Sequence, residues 1–443
     1  MIFRVENAGP LKKAELDLAS DFIVLTGPNN AGKTWLAWSV YAVHRATLSL
    51  PTATALFREL LASEEHKLDL ADRVGSLRAE LASEFGVACR AVMRDCFAAS
   101  GNGFEPLVTV EPADAVAPKA HVLSARGLRW DGQVLSLVDE GGGGAERVSA
   151  PESAYGLSAS RAAMFILWVS ADTDIAGILG ATPGGAVTVF PAERIAVNLF
   201  ARELALSRTE LVDELLNKPD GEFDAKELRR RANRYPRPIR DSIRVANDLG
   251  NLSKTTTPYT DLADRLESMV LGGAIRVSEY GDLEFAPQGS GSTVPMHVSA
   301  SVVKSLASLV FYFRHLARAG ELLIIDEPEL NLHPDNQSRV AQILAMAVRR
   351  GFRVLVSTHS DWFLRELNRL VLASQLRPEE LADHELSEEM TLTPDRLGVY
   401  LLVDGVSSRV PVEGNGFSIA TIDAETNRLN AAEQRMYQRL SEG

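Results

Sequence analysis

The chain has 443 residues, of which 46% are hydrophobic and 24% are charged, and its formal net charge is −13. This composition is typical of a globular protein with a large core, and it excludes a chain dominated by disorder or by a fibrous repeat. The negative charge disfavours a protein whose whole surface coats nucleic acid, although a local basic face stays compatible with it.

The first elements predict a phosphate-binding site. Apolar runs between polar turns predict short strands at 2–5, 14–18 and 22–26. The third strand leads into Gly27-Pro28-Asn29-Asn30-Ala31-Gly32-Lys33-Thr34 and then into a helix. In this order, backbone N–H groups at the helix start cradle phosphate, Lys33 meets the outer phosphates and Thr34 binds Mg²⁺. The loop therefore predicts ATP and Mg²⁺ as ligands; the alternative is a glycine-rich turn that ends in Lys-Thr by chance.

Changes of pattern along the chain predict five regions. Residues 1–45 are the first half of an ATPase head. Residues 46–186 form an inserted helical or mixed domain, with helices at 56–84 and 87–98, a strand near 107–110 and a glycine loop at 141–144. Residues 187–285 form a returning strand, a helical arm and a hairpin that turns near Tyr280-Gly281.

Residues 286–371 are predicted to complete the head, and residues 372–443 to form a C-terminal extension. A helix at 298–319 precedes a buried strand at 321–327, a helix at 336–350, a strand at 352–357 and a helix at 361–371. The extension has a hairpin at 399–412 and a helix at 423–440. Repeated strand and helix indicate a mostly parallel sheet, and hence, with the phosphate loop, an α/β P-loop NTPase with an inserted, mostly helical domain.

Two cysteines and the absence of long apolar runs indicate a cytoplasmic protein. Cys89 and Cys96 have helical spacing, which favours two buried thiols over a disulfide framework. The N-terminal residues do not resemble an export signal. The run Ala162 to Ser170 is too short to cross a membrane and is predicted to be a buried helix.

Two further motifs lie at strand ends, where ligands bind in such sheets. Asp326 is predicted to reach the Mg²⁺ held by Thr34, and Glu327 to orient the water that attacks the γ-phosphorus. Ser357-Thr358-His359-Ser360 ends the next strand, so that His359 could touch the γ-phosphate. An exposed acidic turn and a structural histidine are the alternatives.

The three motifs together resemble the ABC-type ATPases of the overcoming-lysogenization-defect group. The motifs are the phosphate loop, Ile-Ile-Asp-Glu-Pro-Glu-Leu-Asn-Leu-His-Pro at 324–334, and Ser-Thr-His-Ser. That group is similar to SMC-class repair ATPases in its head, and includes ATPase subunits of the Septu, PARIS and Gabija antiphage systems. The resemblance implies that Glu327 is the hydrolytic carboxylate, that His359 is the switch histidine, and that Glu329 to His333 line a dimer interface.

The resemblance also implies that two heads enclose the nucleotide and that a serine from one head meets the γ-phosphate held by the other. Ser299 and Ser301, at a helix start, are the candidates. The sequence departs from the group's pattern because Val302 replaces the expected glycine, which leaves open which serine acts. The alternative is that either serine only caps the helix.

Arginines supply two further candidates. Arg194, in Pro191-Ala192-Glu193-Arg194, is predicted either to contact phosphate or an interface, or to form a structural ion pair. One cationic stretch could bind nucleic acid or an acidic partner, or could be a solvated helical face. It consists of Arg229, Arg230, Arg231, Arg234, Arg237, Arg240 and Arg244.

The motifs predict an ATPase, and the resemblance implies that it acts as a homodimer, or a higher oligomer of dimers, and controls a separate effector. No Asp-x-Asp follows Val412-Glu413-Gly414, so a TOPRIM nuclease domain is not indicated, and the effector, a nuclease or toxin, is expected on another chain. By resemblance, the protein is the sensor or scaffold of a two-component antiphage system. The alternatives are a DNA-repair or DNA-end-binding ATPase, and a nucleotide-gated binding module with little turnover.

Overall fold

The strands form one large sheet and two small ones. The structure is a computed structural model that describes residues 2–46, 51–63, 67–69, 84, 87–99, 104–111, 127–130, 134–138, 144–149, 187–201, 203 and 235–441. The strands are β1 Ile2–Ala8, β2 Leu11–Asp17, β3 Phe22–Thr26, β4 Lys67–Asp69, β5 Leu107–Glu111, β6 Gly127–Trp130, β7 Val134–Val138, β8 Gly144–Ser149, β9 Val187–Phe190, β10 Gly273–Val277, β11 Leu283–Pro287, β12 Val294–Pro295, β13 Leu322–Asp326, β14 Arg353–Ser357, β15 Leu397–Val403 and β16 Val406–Val410.

Helices cover the large sheet and connect its strands. They are α1 Lys33–Ala46, α2 Pro51–Ala62, α3 Arg237–Asn247, α4 Leu249–Leu252, α5 Thr260–Leu266, α6 Ser301–His315, α7 Pro334–Arg349, α8 Asp361–Ala373, α9 Pro378–Leu381 and α10 Ala420–Ser441. A π-helical turn, Glu267–Leu271, continues α5, and 3-10 turns lie at Met296–Val298, Ala382–His384, Glu388–Met390 and Pro394–Arg396. Further helical residues lie at 87–96 and 194–201.

The large sheet has nine strands in the order β5-β1-β2-β16-β15-β3-β14-β13-β9. Its strands β15, β3, β14, β13 and β9 are parallel, whereas β1 pairs antiparallel with both β2 and β5. The prediction of a mostly parallel sheet is confirmed for this part. Parallel order brings the ends of β3, β13 and β14 to one edge, and the register places Asp326 opposite Ser357.

The central strands are apolar because helices cover both of their faces. Phe22 and Val24 pack on one side in a core that α6, α7 and α8 contribute to. Ile23 and Leu25, which alternate with them, pack on the other side against α1. All five residues of β3 and of β13 are buried, so the loops at their ends are held by a rigid sheet.

Part of the predicted insertion belongs to the head. Strand β5 pairs with β1 in the large sheet, and Cys89, Met93 and Cys96 of the 87–96 helix are buried in the core that contains α1. The thiols of Cys89 and Cys96 are free, as predicted. The 87–96 helix and α1 therefore pack together, although the sequence predicts a domain boundary between them.

The prediction of continuous helix from residue 56 to residue 84 is wrong at Lys67–Asp69. This segment is β4, which pairs with β6 in a four-stranded antiparallel sheet of order β4-β6-β7-β8. Helix α2 ends at Ala62, and cross-strand pairing overrides the helical spacing of the residues that follow. The expectation of a mostly helical insertion is not confirmed. Gly141 to Gly143 and the predicted helix from Ala162 to Ser170 lie outside the described residues.

The predicted C-terminal extension contributes two strands to the large sheet. Strand β15 lies parallel to β3, with Leu397 opposite Phe22 and Leu401 opposite Thr26. It continues into β16 through Asp404 and Gly405, both with positive φ, so the predicted hairpin exists but is central rather than peripheral. Among the described residues, no helix is long and apolar enough to cross a membrane.

Candidate active site

The phosphate loop joins β3 to α1 in a conformation that only glycine adopts without strain at two positions. Gly27 has a φ of 136°, and a Cβ there would lie 2.1 Å from the carbonyl oxygen of Leu402 on β15. Gly32 has a φ of 98°, and a Cβ there would lie 2.6 Å from Leu11 Cδ2. Pro28, Asn29 and Asn30 are exposed, whereas Ala31 is buried. The loop is therefore clamped at both ends and open at its tip.

Lys33, the first residue of α1, lies folded against this loop. Its Nζ donates hydrogen bonds to the carbonyl oxygens of Gly27, at 3.0 Å, and Pro28, at 2.9 Å. Burial lowers the pKa of Lys33 to about 8, although the carboxylates of Glu327 and Glu329 act in the opposite direction. An anion at the loop would restore the stability of the charged ammonium, which is the property expected of a phosphate-binding lysine.

Asp326 lies at the end of β13 with no exposed surface. Its Oδ1 accepts a hydrogen bond from Ser357 Oγ at 2.5 Å, whereas its Oδ2 is buried and makes no hydrogen bond with the described residues. Burial raises the pKa of Asp326 to about 6. Ser357 thus fixes one oxygen, and the other makes no close hydrogen bond within the described part of the chain, although the Trp38 side chain acts to lower the pKa of the carboxyl group.

Glu327 follows with a φ of 48°, in the left-handed region that residues other than glycine seldom occupy. Its N–H donates to the carbonyl oxygen of Ser357 at 2.9 Å. The side chain is 37% exposed, and its Oε1 lies 3.9 Å from Nε2 of His359. The backbone turn therefore separates the roles of two adjacent carboxylates, because Asp326 points into the protein and Glu327 reaches the open edge.

His359 and Glu329 meet at the end of β14. The N–H of His359 donates to Oε1 of Glu329 at 2.8 Å, and Oγ1 of Thr358 donates to the same oxygen at 2.9 Å. Burial raises the pKa of Glu329. The pKa of His359 is lowered by burial and by the nearby Lys33 ammonium, so a neutral imidazole faces Glu327. Glu329 was predicted to line an interface, but it also holds the histidine's backbone.

The two candidate serines differ in position. Ser299 is buried, and its Oγ donates to the carbonyl oxygen of Pro295 at 3.0 Å. Ser301 is the first residue of α6 and is exposed. Ala300 is the N-cap, and no side chain caps this helix, so neither serine has the capping role that was the alternative. Ser301 is therefore exposed at a helix start, where the first N–H groups have no acceptor within the helix.

Arg194 is 3% exposed. Its guanidinium donates five hydrogen bonds, to oxygens of Pro191, Ser305, Asp326 and Glu327. Burial lowers its pKa to about 10, so it stays charged at neutral pH. The acceptors are main-chain carbonyls and one hydroxyl, so Arg194 forms no ion pair with a carboxylate of the described residues. A phosphate or interface contact of Arg194 stays a prediction.

The cationic stretch is only partly described, and two of its members have structural partners. Arg237 pairs with Asp95 at 3.2 Å, and Arg240 pairs with the same carboxylate. Arg244 has a largely exposed side chain and lies 3.5 Å from Asp241. Arg229, Arg230, Arg231 and Arg234 lie outside the described residues. Arg237 and Arg240 fasten α3 to the 87–96 helix and are not available to grip a nucleic acid backbone.

The residues present fit Mg²⁺ and a nucleotide. Asp326 supplies a buried carboxylate oxygen without a partner, and Thr34, on the first turn of α1, supplies the hydroxyl that the phosphate-loop motif pairs with it. The exposed loop tip ahead of α1 offers N–H groups to phosphate. Mg²⁺ commonly binds through one or two carboxylates together with substrate phosphates. Among the described residues, no group of three or more His, Cys, Asp or Glu side chains could hold a metal ion.

A family match agrees with the fold. A family model described as an AAA ATPase domain matches residues 209–364, a span that includes α6, Asp326, Glu327 and His359. No curated protein matches the sequence. The chain is similar to an Smc head bound to the C-winged helix domain of ScpA, with 12% identity over 92% of this chain and 96% of that chain and a TM-score of 0.35.

Two further SMC heads show the same level of similarity. One is the Smc head with an extended coiled coil bound to the C-terminal domain of ScpA from Pyrococcus furiosus, with 13% identity over 98% of each chain and a TM-score of 0.33. The other is the SMC head from Thermotoga maritima, with 10% identity over 93% of this chain and 98% of that chain and a TM-score of 0.32. The strand–loop–helix of β3 and α1, the parallel sheet and the family match together establish a mixed α/β P-loop ATPase fold.

Proposed function

We propose that this chain is an ABC-type ATPase that hydrolyses ATP between two copies of its head, and that it is the sensor or scaffold subunit of a two-component antiphage system. The observation that carries the ATPase proposal is the meeting of Lys33, Asp326, Glu327 and His359 at one edge of the sheet. Glu327 Oε1 lies 3.9 Å from His359 Nε2, and both side chains influence the pKa of Lys33 or are influenced by it.

Each residue has a role that follows from its surroundings. Lys33 leaves the carbonyl oxygens of Gly27 and Pro28 to bind the outer phosphates. Thr34 and the free oxygen of Asp326 would hold Mg²⁺, which supplies charge neutralisation on the phosphates when it is bound. Glu327, half-exposed and next to a neutral imidazole, orients the attacking water and accepts its proton.

Ser301 supports a site shared by two copies. It is exposed at the start of a 15-residue helix, and the positive end of the helix dipole favours an anion there. Ser299 bonds within its own chain, so Ser301 is the residue that we assign to the γ-phosphate of the partner copy. The loop after Glu329 has exposed residues Asn331 and His333, which suits an interface.

Glu327→Gln is the test of the ATPase proposal. The amide keeps the size of the side chain but cannot accept the water's proton, so the turnover rate should fall about 10²- to 10⁴-fold. ATP should then hold the variant as a dimer, measured by light scattering after size-exclusion chromatography. A parent that hydrolyses ATP slowly and a variant with the same rate would support a nucleotide-gated binding module instead.

The proposed role in defence depends on the resemblance of the motifs. It is tested by identifying the protein that the neighbouring gene encodes and by testing whether it binds this chain. A nuclease or toxin encoded beside this chain, which co-purifies with it and is released or activated by ATP in vitro, is the expected result. A neighbouring recombination operon and salt-sensitive duplex binding, lost in Arg230→Glu and Arg234→Glu, would favour DNA repair.

A further inference from the structure

Arg194 joins three parts of the head that the proposed mechanism keeps separate. It lies at the start of the helical segment 194–201, directly after β9, and is almost fully buried. Its Nη1 donates to the carbonyl oxygen of Asp326 at 2.6 Å, and its Nη2 to that of Glu327 at 2.7 Å. Its Nε donates to the carbonyl oxygen of Ser305 in α6 at 2.9 Å. One planar group therefore touches the catalytic strand end and the helix that begins at Ser301.

The contact with Glu327 bears on the direction of its side chain. The left-handed φ of 48° is unfavourable for glutamate by about 1 kcal/mol or more, and it persists only if both sides of the residue are held. The N–H is held by the carbonyl of Ser357, and the carbonyl accepts from both the Leu330 N–H, at 3.0 Å, and Arg194. Without Arg194, the Leu330 N–H alone holds this carbonyl, so the backbone that orients the Glu327 carboxylate is held less firmly.

The contact with Ser305 connects Arg194 to the helix that begins at Ser301. Ser305 lies one helical turn after Ser301, about 6 Å along the axis. Its Oγ accepts from Nη2 of Arg194 at 3.2 Å and donates to the carbonyl oxygen of Leu330 at 2.9 Å. Asn198, on the same segment as Arg194, donates to the carbonyl oxygen of Lys304 at 2.9 Å. A chain of hydrogen bonds thus connects α6 to the residues around Glu327.

We propose that Arg194 is a positioning residue that couples the contact made at Ser301 to the orientation of the Glu327 carboxylate. When α6 meets the phosphate held by a second copy, Ser305 and the guanidinium move with it and set the backbone of Glu327 for hydrolysis. This inference rests on the proposed ATPase function. Lysine cannot replace arginine here, because one ammonium cannot span acceptors on three elements in a plane.

The experiment compares the full chain with Arg194→Lys and a matched control, Arg353→Lys. Arg353 is also a mostly buried arginine whose guanidinium donates to a main-chain carbonyl, that of Leu18, but it lies at the opposite end of β14 from the site. We expect Arg194→Lys to lower kcat at least 10-fold while KM for ATP stays within about 2-fold. The control should lose thermal stability to a similar degree and keep its kcat.

A double-mutant cycle separates coupling from structure. If Arg194 transmits the contact at Ser301, the variant that combines Arg194→Lys with Ser301→Ala should have the kcat of the slower single variant, because the second change removes a step already lost. Ser305→Ala, which removes one bond to Arg194 and the bond to Leu330, should lower kcat in the same direction by about 3-fold and serves if Arg194→Lys does not fold.

Three results would overturn the inference. They are a kcat of Arg194→Lys equal to that of the control, rate losses of Arg194→Lys and Ser301→Ala that multiply, and a rise in KM without a change in kcat. A failure of the ATPase proposal is distinguishable, since the unaltered chain would then hydrolyse no ATP and Glu327→Gln would behave like it.

Discussion

When Mg²⁺ and nucleotide are absent, replacing Asp326 by asparagine should make the protein more stable relative to the parent as the pH rises, although it abolishes the proposed activity. The carboxyl group is fully buried, and burial raises its pKa from 3.8 to about 6. The folded chain therefore holds this proton more tightly than the unfolded chain does. The contribution of Asp326 to the free energy of unfolding is therefore highest below pH 3.8, falls as the pH rises, and reaches its lower level above about pH 6.

The size of the effect follows from the two pKa values. A difference of about two units corresponds to about 3 kcal/mol between the two limits of pH. Between pH 5 and pH 7.5, the free energy of unfolding of the parent should fall by about 1.4 kcal/mol relative to that of the variant. The rest of the difference is already lost at pH 5, because this carboxyl group is largely ionised in the unfolded chain at that pH. The amide N–H₂ that replaces the unpaired Oδ2 costs about 1–3 kcal/mol, but equally at both pH values.

Urea denaturation of the full chain at pH 5 and pH 7.5, without Mg²⁺ or nucleotide, measures this difference. The control is Asp383→Asn, a change at an exposed carboxylate in a 3-10 turn. The difference in free energy of unfolding between this control and the parent should be the same at both pH values. The free energy of unfolding of Asp326→Asn minus that of the parent should increase as the pH rises. A difference that stays constant or decreases would refute the reasoning that burial raises the pKa of this carboxyl group. Added Mg²⁺ and ATP should stabilise the parent but not the variant.

Three other substitutions test the phosphate loop and the position of His359. Lys33→Ala should weaken nucleotide binding and ATP-dependent dimerisation together, measured by fluorescent-nucleotide titration and light scattering; unchanged association driven by ATP would contradict the shared site. Gly27→Ala should lower the melting temperature by several degrees and nearly abolish nucleotide binding, because its Cβ would lie 2.1 Å from the carbonyl oxygen of Leu402; a variant with the parent's melting temperature would show that the loop can relax. Glu329→Ala frees the backbone of His359 and should lower kcat about 10-fold with little change in KM, an outcome that equal losses of binding and rate would rule out.

The sequence predicted the centre of the fold because the buried parallel strands are continuous apolar runs with polar groups at their ends. Strands β3, β13 and β14 were located to within one or two residues of their observed bounds. Strand β15 was placed outside the head, although Leu397 to Val403 is equally apolar. The reason is that order in a sheet depends on which strands pair, and a strand near the end of the chain carries no local signal that it inserts beside β3.

The insertion was predicted less well, because its helices and strands depend on partners far along the chain. Nothing in Lys67–Asp69 marks a strand until Gly127–Trp130 pairs with it. In the same way, Leu107–Glu111 reads as a strand, but only pairing with β1 places it in the head.

The site shows a related limit at Arg194. Residue types identify Lys33, Asp326 and Glu327, because each role needs a specific functional group, and the motif spacing brings those groups to one edge. The acceptors of Arg194 are mainly carbonyl oxygens, which every residue possesses, so no pattern of side chains around Arg194 predicts them. The signal that remains is an arginine directly after a buried strand with few acids near it in sequence. Such a residue must find its partners in the main chain or stay unpaired at a large cost in free energy, so a buried arginine beside a catalytic strand points to a backbone that has to be held in place.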